Sequence, residues 1–194
     1  LISNFAIEQK QRSDYSLTSM HEGWLFSRFE PHILQVKGKA KTTLNGLQIS
    51  TDKQELSTYS SVRFQGPEGE LSQLNKSSAN KNSHALFNGA IQVPKIAQRT
   101  QAAQLSRNLI LSKRARINTK PELEIVADDV RCTHGATVSQ LQEEELFYLR
   151  SRGIRSDQAA SLLLEGYYQE ILRKLPLYSF RWTFLNNLLS RKTG

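Results

Sequence analysis

Leu123-Glu124-Ile125-Val126-Ala127-Asp128-Asp129-Val130-Arg131-Cys132-Thr133-His134-Gly135-Ala136-Thr137-Val138 decides the fold class of this 194-residue chain. It holds short apolar pieces parted by a polar break, with no 3.6-residue period, and so reads as strand, turn and strand. Pieces of the same kind recur upstream at Ala85-Leu86-Phe87, Ala90-Ile91-Gln92-Val93, Leu109-Ile110-Leu111 and Ala115-Arg116-Ile117. Val36 to Ile49 alternates more loosely. Small polar turns such as Asn88-Gly89 and Asn118-Thr119-Lys120-Pro121 separate them. From Ile91 to Leu109 to Ile125 the steps are 18 and 16 residues. A near-fixed return of short strands suggests the stacked coils of a β-solenoid. A sandwich gives a similar string with strands every 8–12 residues, and the spacing favours the solenoid. Coils are expected from Val36 to Val138. The Ser-, Asn- and Lys-rich segment from Leu71 to Ser83 reads as a loop or surface excursion.

Near Gln140 the period changes. Leu141, Leu146, Phe147 and Leu149 are spaced for one helical face, with Glu143, Glu144 and Glu145 at the start and Arg150 and Arg152 at the end. That polarity suits a helix dipole, and Gly153 is placed to stop the helix. Ser156 is a candidate N-cap for a second helix over Asp157 to Leu175, ended by Pro176. Tyr178 to Arg191 reads as a third, weaker helix. The expected division is a β core over 1–139, its N-terminal portion missing, and a helical domain over 140–194.

Charge and composition exclude several functions. Net charge is +8, and the nine Lys or Arg between Leu71 and Pro121 meet no Asp or Glu there. Such a stretch could follow a phosphate backbone, but Phe87 is its only aromatic and stacking platforms are absent. A basic nucleic-acid-binding module is therefore the weaker alternative. No apolar run approaches the roughly 18–20 residues that span a bilayer, so no membrane role is expected. A single cysteine excludes an internal disulfide and suits a reducing compartment such as the cytosol. Gly38-Lys39 is not a phosphate loop, because Ile33 stands where the first glycine belongs and Ala40 where Ser or Thr must follow. Asp128-Asp129 cannot work as the carboxylate pair of a β-helix polysaccharide enzyme, since adjacent strand residues point to opposite faces.

Cys132 and His134 are the candidate site. Residues at i and i+2 share one face of a strand, and thiolate and imidazole both bind transition metals. Two ligands cannot close a metal or cluster site, so another chain must supply the rest. His21, His32 and His84 have no ligand neighbour at useful spacing. On the residues alone, a structural role for Cys132 and His134 stays open beside the chemical one.

The run from Lys120 to Thr137, followed by Leu146-Phe147-Tyr148-Leu149-Arg150-Ser151-Arg152-Gly153-Ile154, closely resembles the SufD members of the SufB/SufD family. These are scaffold subunits of the Suf iron–sulfur cluster assembly system. Phe87-Asn88-Gly89 and Arg107-Asn108-Leu109-Ile110-Leu111-Ser112 fit the same family, and the strong match covers about residues 84 to 154. The resemblance implies a right-handed parallel β-helix followed by a C-terminal helical domain. It implies a non-enzymatic subunit, in the cytoplasm or a plastid stroma, that pairs with SufB through the β-helix and holds the ATPase SufC through the helices. In isolation two copies of the chain would pair instead. It assigns His134, and secondarily Cys132, to a nascent cluster at the SufB interface, with no cofactor held stably by this chain. Phe147, Tyr148, Tyr167 and Tyr168 are then the candidate contacts to SufC, because buried aromatics dominate interface energies.

Overall fold

A computed structural model describes residues 1–176 of the chain. It divides into two compact units, Leu1–Ser139 and Gln140–Gly194. The first contains ten strands and the second begins with two helices.

The strands are β1 (Ile2–Gln9), β2 (Asp14–Glu22), β3 (Phe26–Gln35), β4 (Lys41–Ser50), β5 (Glu55–Phe64), β6 (Glu70–Ala79), β7 (His84–Val93), β8 (Gln101–Ile110), β9 (Arg116–Ile125) and β10 (Arg131–Ser139). Odd strands form one parallel sheet in the order β1-β3-β5-β7-β9, and even strands form the other, β10-β8-β6-β4-β2. Every pairing is parallel and joins a strand to the next but one along the chain. The first unit is therefore a two-sided parallel β-helix of five coils.

One coil is two strands and two corners. Stacked partners lie 26 residues apart from Ile2 to Arg28 and 32 from His84 to Arg116. The spacing of 16 to 18 residues seen in the sequence is thus half a coil, the passage from one sheet to the other. The coils also begin at Ile2, well before Val36. Of the loop expected over Leu71–Ser83, only residues 80–83 form a corner; the rest lies in β6, a central strand with Gln73, Asn75 and Ser77 buried in the interior. The interior of this solenoid is partly polar, so a run rich in Ser, Asn and Lys lies inside it.

Alternation of side chains places one ladder of apolar residues through the coils. Ile7, Ile33, Val62, Ile91 and Leu123 stack in register in the odd sheet. Ile33, Val62 and Ile91 are fully enclosed and pack with Leu44, Phe64, Leu71 and Val93 in one core. Polar ladders are satisfied by hydrogen bonds. Gln48 Nε2 donates to Thr58 Oγ1 at 3.1 Å, and Ser77 Oγ donates to Gln48 Oε1 at 2.9 Å. Such pairing offsets the cost of burying amides.

Six of the nine corners between strands include a non-glycine residue in the left-handed region: Arg12, Lys39, Asp52, Glu68, Lys81 and Arg99 have φ between 52° and 59°. Successive corners stack closely. A Cβ on Gly38 would lie 2.1 Å from the Pro67 carbonyl oxygen, so only glycine fits there. Stacking also pairs charges that are distant in sequence. Glu68 accepts from Arg99 Nη2 at 2.6 Å and lies 3.8 Å from Lys39 Nζ, and Lys81 meets Asp52 at 2.6 Å. The stretch without acids between Leu71 and Pro121 is therefore partly neutralised by neighbouring coils.

In the second unit α1 spans Glu143–Ser151 and α2 spans Ser156–Leu172. Gly153, at φ +83°, donates its N–H to the Arg150 carbonyl and turns the chain out of α1. Ser156 is the first helical residue rather than the cap, which is Arg155, and no side chain caps α2. The third helix expected over Tyr178 to Arg191 lies outside the described residues.

Candidate functional site

β10 is the terminal strand of the even sheet and β9 the terminal strand of the odd one. Each is hydrogen-bonded to a sheet neighbour on one side only. The inward-facing positions of β10 continue the interior ladders: Cys132 stands over Ala102, His134 over Gln104, Ala136 over Ser106 and Val138 over Asn108. Those four positions on β8 are buried. Cys132 and His134 thus point toward the axis of the coil, side by side, at the last layer of the solenoid.

Burial separates the two. Cys132 is half-buried and packs against the core. Burial pushes its thiol pKa up, opposed by a backbone hydrogen bond from Ala102. At neutral pH it is a packed thiol, not a thiolate nucleophile. His134 is exposed at the same edge. Nearby apolar groups are uncovered as well, with Ile125 at 41%, Val126 at 57% and Val138 at 46% exposure. Among the described residues of the first unit, no further strand follows β10 to continue this interior.

Among the described residues, no three His, Cys, Asp or Glu side chains converge on one point. Asp128 and Asp129 are exposed in the corner between β9 and β10. Gly135 does not serve close packing within this chain, since a Cβ there would touch only Leu105 Cδ1, at 3.4 Å. His21 is the histidine that spacing alone passed over. It is 7% exposed on β2, its Nδ1 lies 3.2 Å from Ser27 Oγ, and burial lowers its pKa to about 4.

The aromatic candidates of the helices differ among themselves. Phe147 and Tyr148 on α1 are 70% and 58% exposed, and the Arg152 guanidinium lies over the Tyr148 ring at 5.4 Å. Tyr167 and Tyr168 on α2 are half-buried and meet edge to face, with centroids 5.7 Å apart. No described helix is long and apolar enough to cross a membrane.

The fold is a two-sided parallel β-helix whose last coil presents a cysteine and a histidine. Residues 1–167 match the core domain of SufBD proteins of the SUF system for iron–sulfur cluster assembly, and the chain belongs to that family. It is 43% identical over 180 residues to an iron–sulfur cluster assembly SufBD family protein of Synechocystis sp., covering 93% of this chain and 40% of that protein. It is 36% identical over 171 residues to the chloroplastic protein ABCI7 of Arabidopsis thaliana, covering 88% and 36%. Against the iron–sulfur cluster assembly protein SufD of Escherichia coli it is 42% identical over 103 residues, covering 53% and 24%. The chain thus spans two fifths or less of the length of these relatives.

Proposed function

We propose that the chain is a scaffold subunit for iron–sulfur cluster assembly, with no reaction catalysed by this subunit alone. The last coil of the β-helix carries the reading. β9 and β10 leave backbone donors and acceptors open along their outer edges, and an open edge beside exposed apolar residues is a template for another sheet. The partner that fits is a second parallel β-helix, the paralogous SufB, whose last coil would continue both sheets. His134 would then stand at the junction, with Cys132 beneath the surface next to it.

The nascent cluster is cargo. His134 contributes a neutral imidazole to iron, and SufB supplies further ligands, because clusters of this kind ordinarily take four. Cys132 is secondary, since its raised pKa and core packing hold it as a thiol. The ATPase SufC is read onto the helices, with Phe147 and Tyr148 as the exposed anchors and Tyr167 and Tyr168 partly held by their own helix packing. A reducing compartment, cytoplasm or plastid stroma, suits a single free thiol.

The test is complementation of a strain lacking the SufD subunit with the full-length protein. His134→Ala is expected to abolish cluster assembly while SufB still co-purifies, and Cys132→Ser to retain most of it. Full rescue by His134→Ala would remove the site and leave only a structural role.

A further inference from the structure

The interior beneath the last coil contains a hydrogen-bonded ladder with a direction. Gln73 Nε2 donates to Ser60 Oγ at 2.7 Å. One coil further on, Gln104 Nε2 donates to Gln73 Oε1 at 2.9 Å and to the Gly89 carbonyl at 3.1 Å. A main-chain carbonyl can only accept, so the Gln104 amide is fixed with its nitrogen toward Gly89 and its oxygen turned away. That oxygen is buried and receives no hydrogen bond, although Gln104 itself is only 2% exposed. Gly89 makes the arrangement possible, because a Cβ there would lie 2.3 Å from Gln104 Nε2.

The ladder indicates where the missing donor comes from. The oxygen of Gln73 is served by the residue one coil on, which is Gln104. The residue one coil on from Gln104 is His134. Paired strands lie roughly 4.8 Å apart, within reach of an imidazole that turns inward. The geometry points to Gln104 as the positioning residue of His134. One ring N–H of His134 donates to Gln104 Oε1, which holds the imidazole in a single tautomer. The other ring nitrogen keeps its lone pair toward the open end. Neutral histidine donates from one nitrogen and accepts at the other, so the partner of the first selects the second as ligand. The consequence for assembly rests on the reading of His134 as a ligand; the hydrogen bond itself does not.

The experiment uses the full-length chain with ¹⁵N-labelled histidine, His134 being assigned by its loss in His134→Ala. At neutral pH His134 is expected to show one tautomer and a ring N–H slow enough in exchange to be seen. Gln104→Met should return it to a tautomer mixture with no visible ring N–H. Gln73→Met is the control: it removes the same interior amide one coil down, while Gly89 still orients Gln104, and the His134 signals should not change. Gln104→Met should lower cluster assembly roughly 10- to 100-fold, with Gln73→Met well above it. A wild-type His134 that already shows both tautomers means that water serves Gln104, and overturns the proposal even if Gln104→Met does not fold. Equal effects of the two methionine variants on the His134 signals overturn it too. If the tautomer is single and His134→Ala still rescues cells, the positioning stands and the assigned role of His134 falls.

Discussion

At the scale of single residues, burial separates His21 from His134. His21 is enclosed, and its ring centroid lies 4.8 Å from that of Phe29. Its Nε2 has no partner, so an imidazolium there would be buried without a counter-charge. Its folded pKa of about 4 lies below the ordinary 6.5. Between those values the unfolded chain binds a proton that the folded one refuses. Stability is therefore complete above about pH 6.5 and falls as the pH drops toward 4, by an amount on the order of 3 kcal/mol. His21→Phe should flatten the acid limb of a denaturation-midpoint-against-pH curve over that window. An unchanged slope would mean that the ring is not buried neutral. Gly89 sets a second limit. Gly89→Ala drives a methyl into the Gln104 amide and the Phe87 ring, and should cost about 1–3 kcal/mol in urea unfolding.

At the scale of elements, the ladders hold the coils, and they differ in how legible they are. Ile91 is 1% exposed between Val62 and Leu123. Ile91→Ala should lower unfolding free energy by about 2–5 kcal/mol through loss of packing and the cavity left behind. Phe147→Ala and Tyr148→Ala should leave the circular dichroism of the full-length protein unchanged and weaken capture of SufC. Binding at wild-type strength by the double variant would move the ATPase contact elsewhere. The apolar ladder could be read from sequence because Ile91, Leu123 and their neighbours stand out from polar surroundings. So could the change of period at Gln140, since Leu141, Leu146 and Leu149 cannot lie on one strand face. β6 could not. Its inward residues are Gln73, Asn75 and Ser77, and only the coils above and below reveal that these amides are paired. The same blindness hid β1 and β2, where Ser3, Gln9 and Ser19 share inward positions with Phe5, Ile7 and Leu17. The facing of Cys132 and His134 followed from two-residue alternation, whereas their place on the last coil needed the strand order.

At the scale of the whole molecule, charge and shape act together. Lys81 and Arg99 in the basic stretch face Asp52 and Glu68 across coils, and Lys120 pairs with Glu122 on its own strand, so among the described residues acidic groups interrupt the cationic track that a phosphate backbone would follow. The β-helix end offers instead an apolar rim with free backbone edges. Val138→Asp and Ile125→Asp place charges on that rim without touching His134. Together they should reduce SufB co-purification while leaving the melting temperature of the isolated subunit within a few degrees. Undiminished pairing would show that the coil ends do not meet.

Because each strand pairs only with the strand one coil away, the coils hold one another as a line rather than as a sphere. A middle coil such as β5 and β6 is gripped from both sides, whereas β9 and β10 are gripped from one. Opening should therefore start at the terminal coils, of which the histidine-bearing one is one, and travel inward, as in other one-dimensional arrays. In hydrogen-exchange measurements on the free full-length subunit, amides of Thr133 to Ser139 should exchange well before those of Leu56 to Phe64. Adding SufB should slow the first group and leave the second alone. The place where a cluster would be built is then also a place where the free subunit is softer than its middle, and it would harden only when the second half of the site arrives.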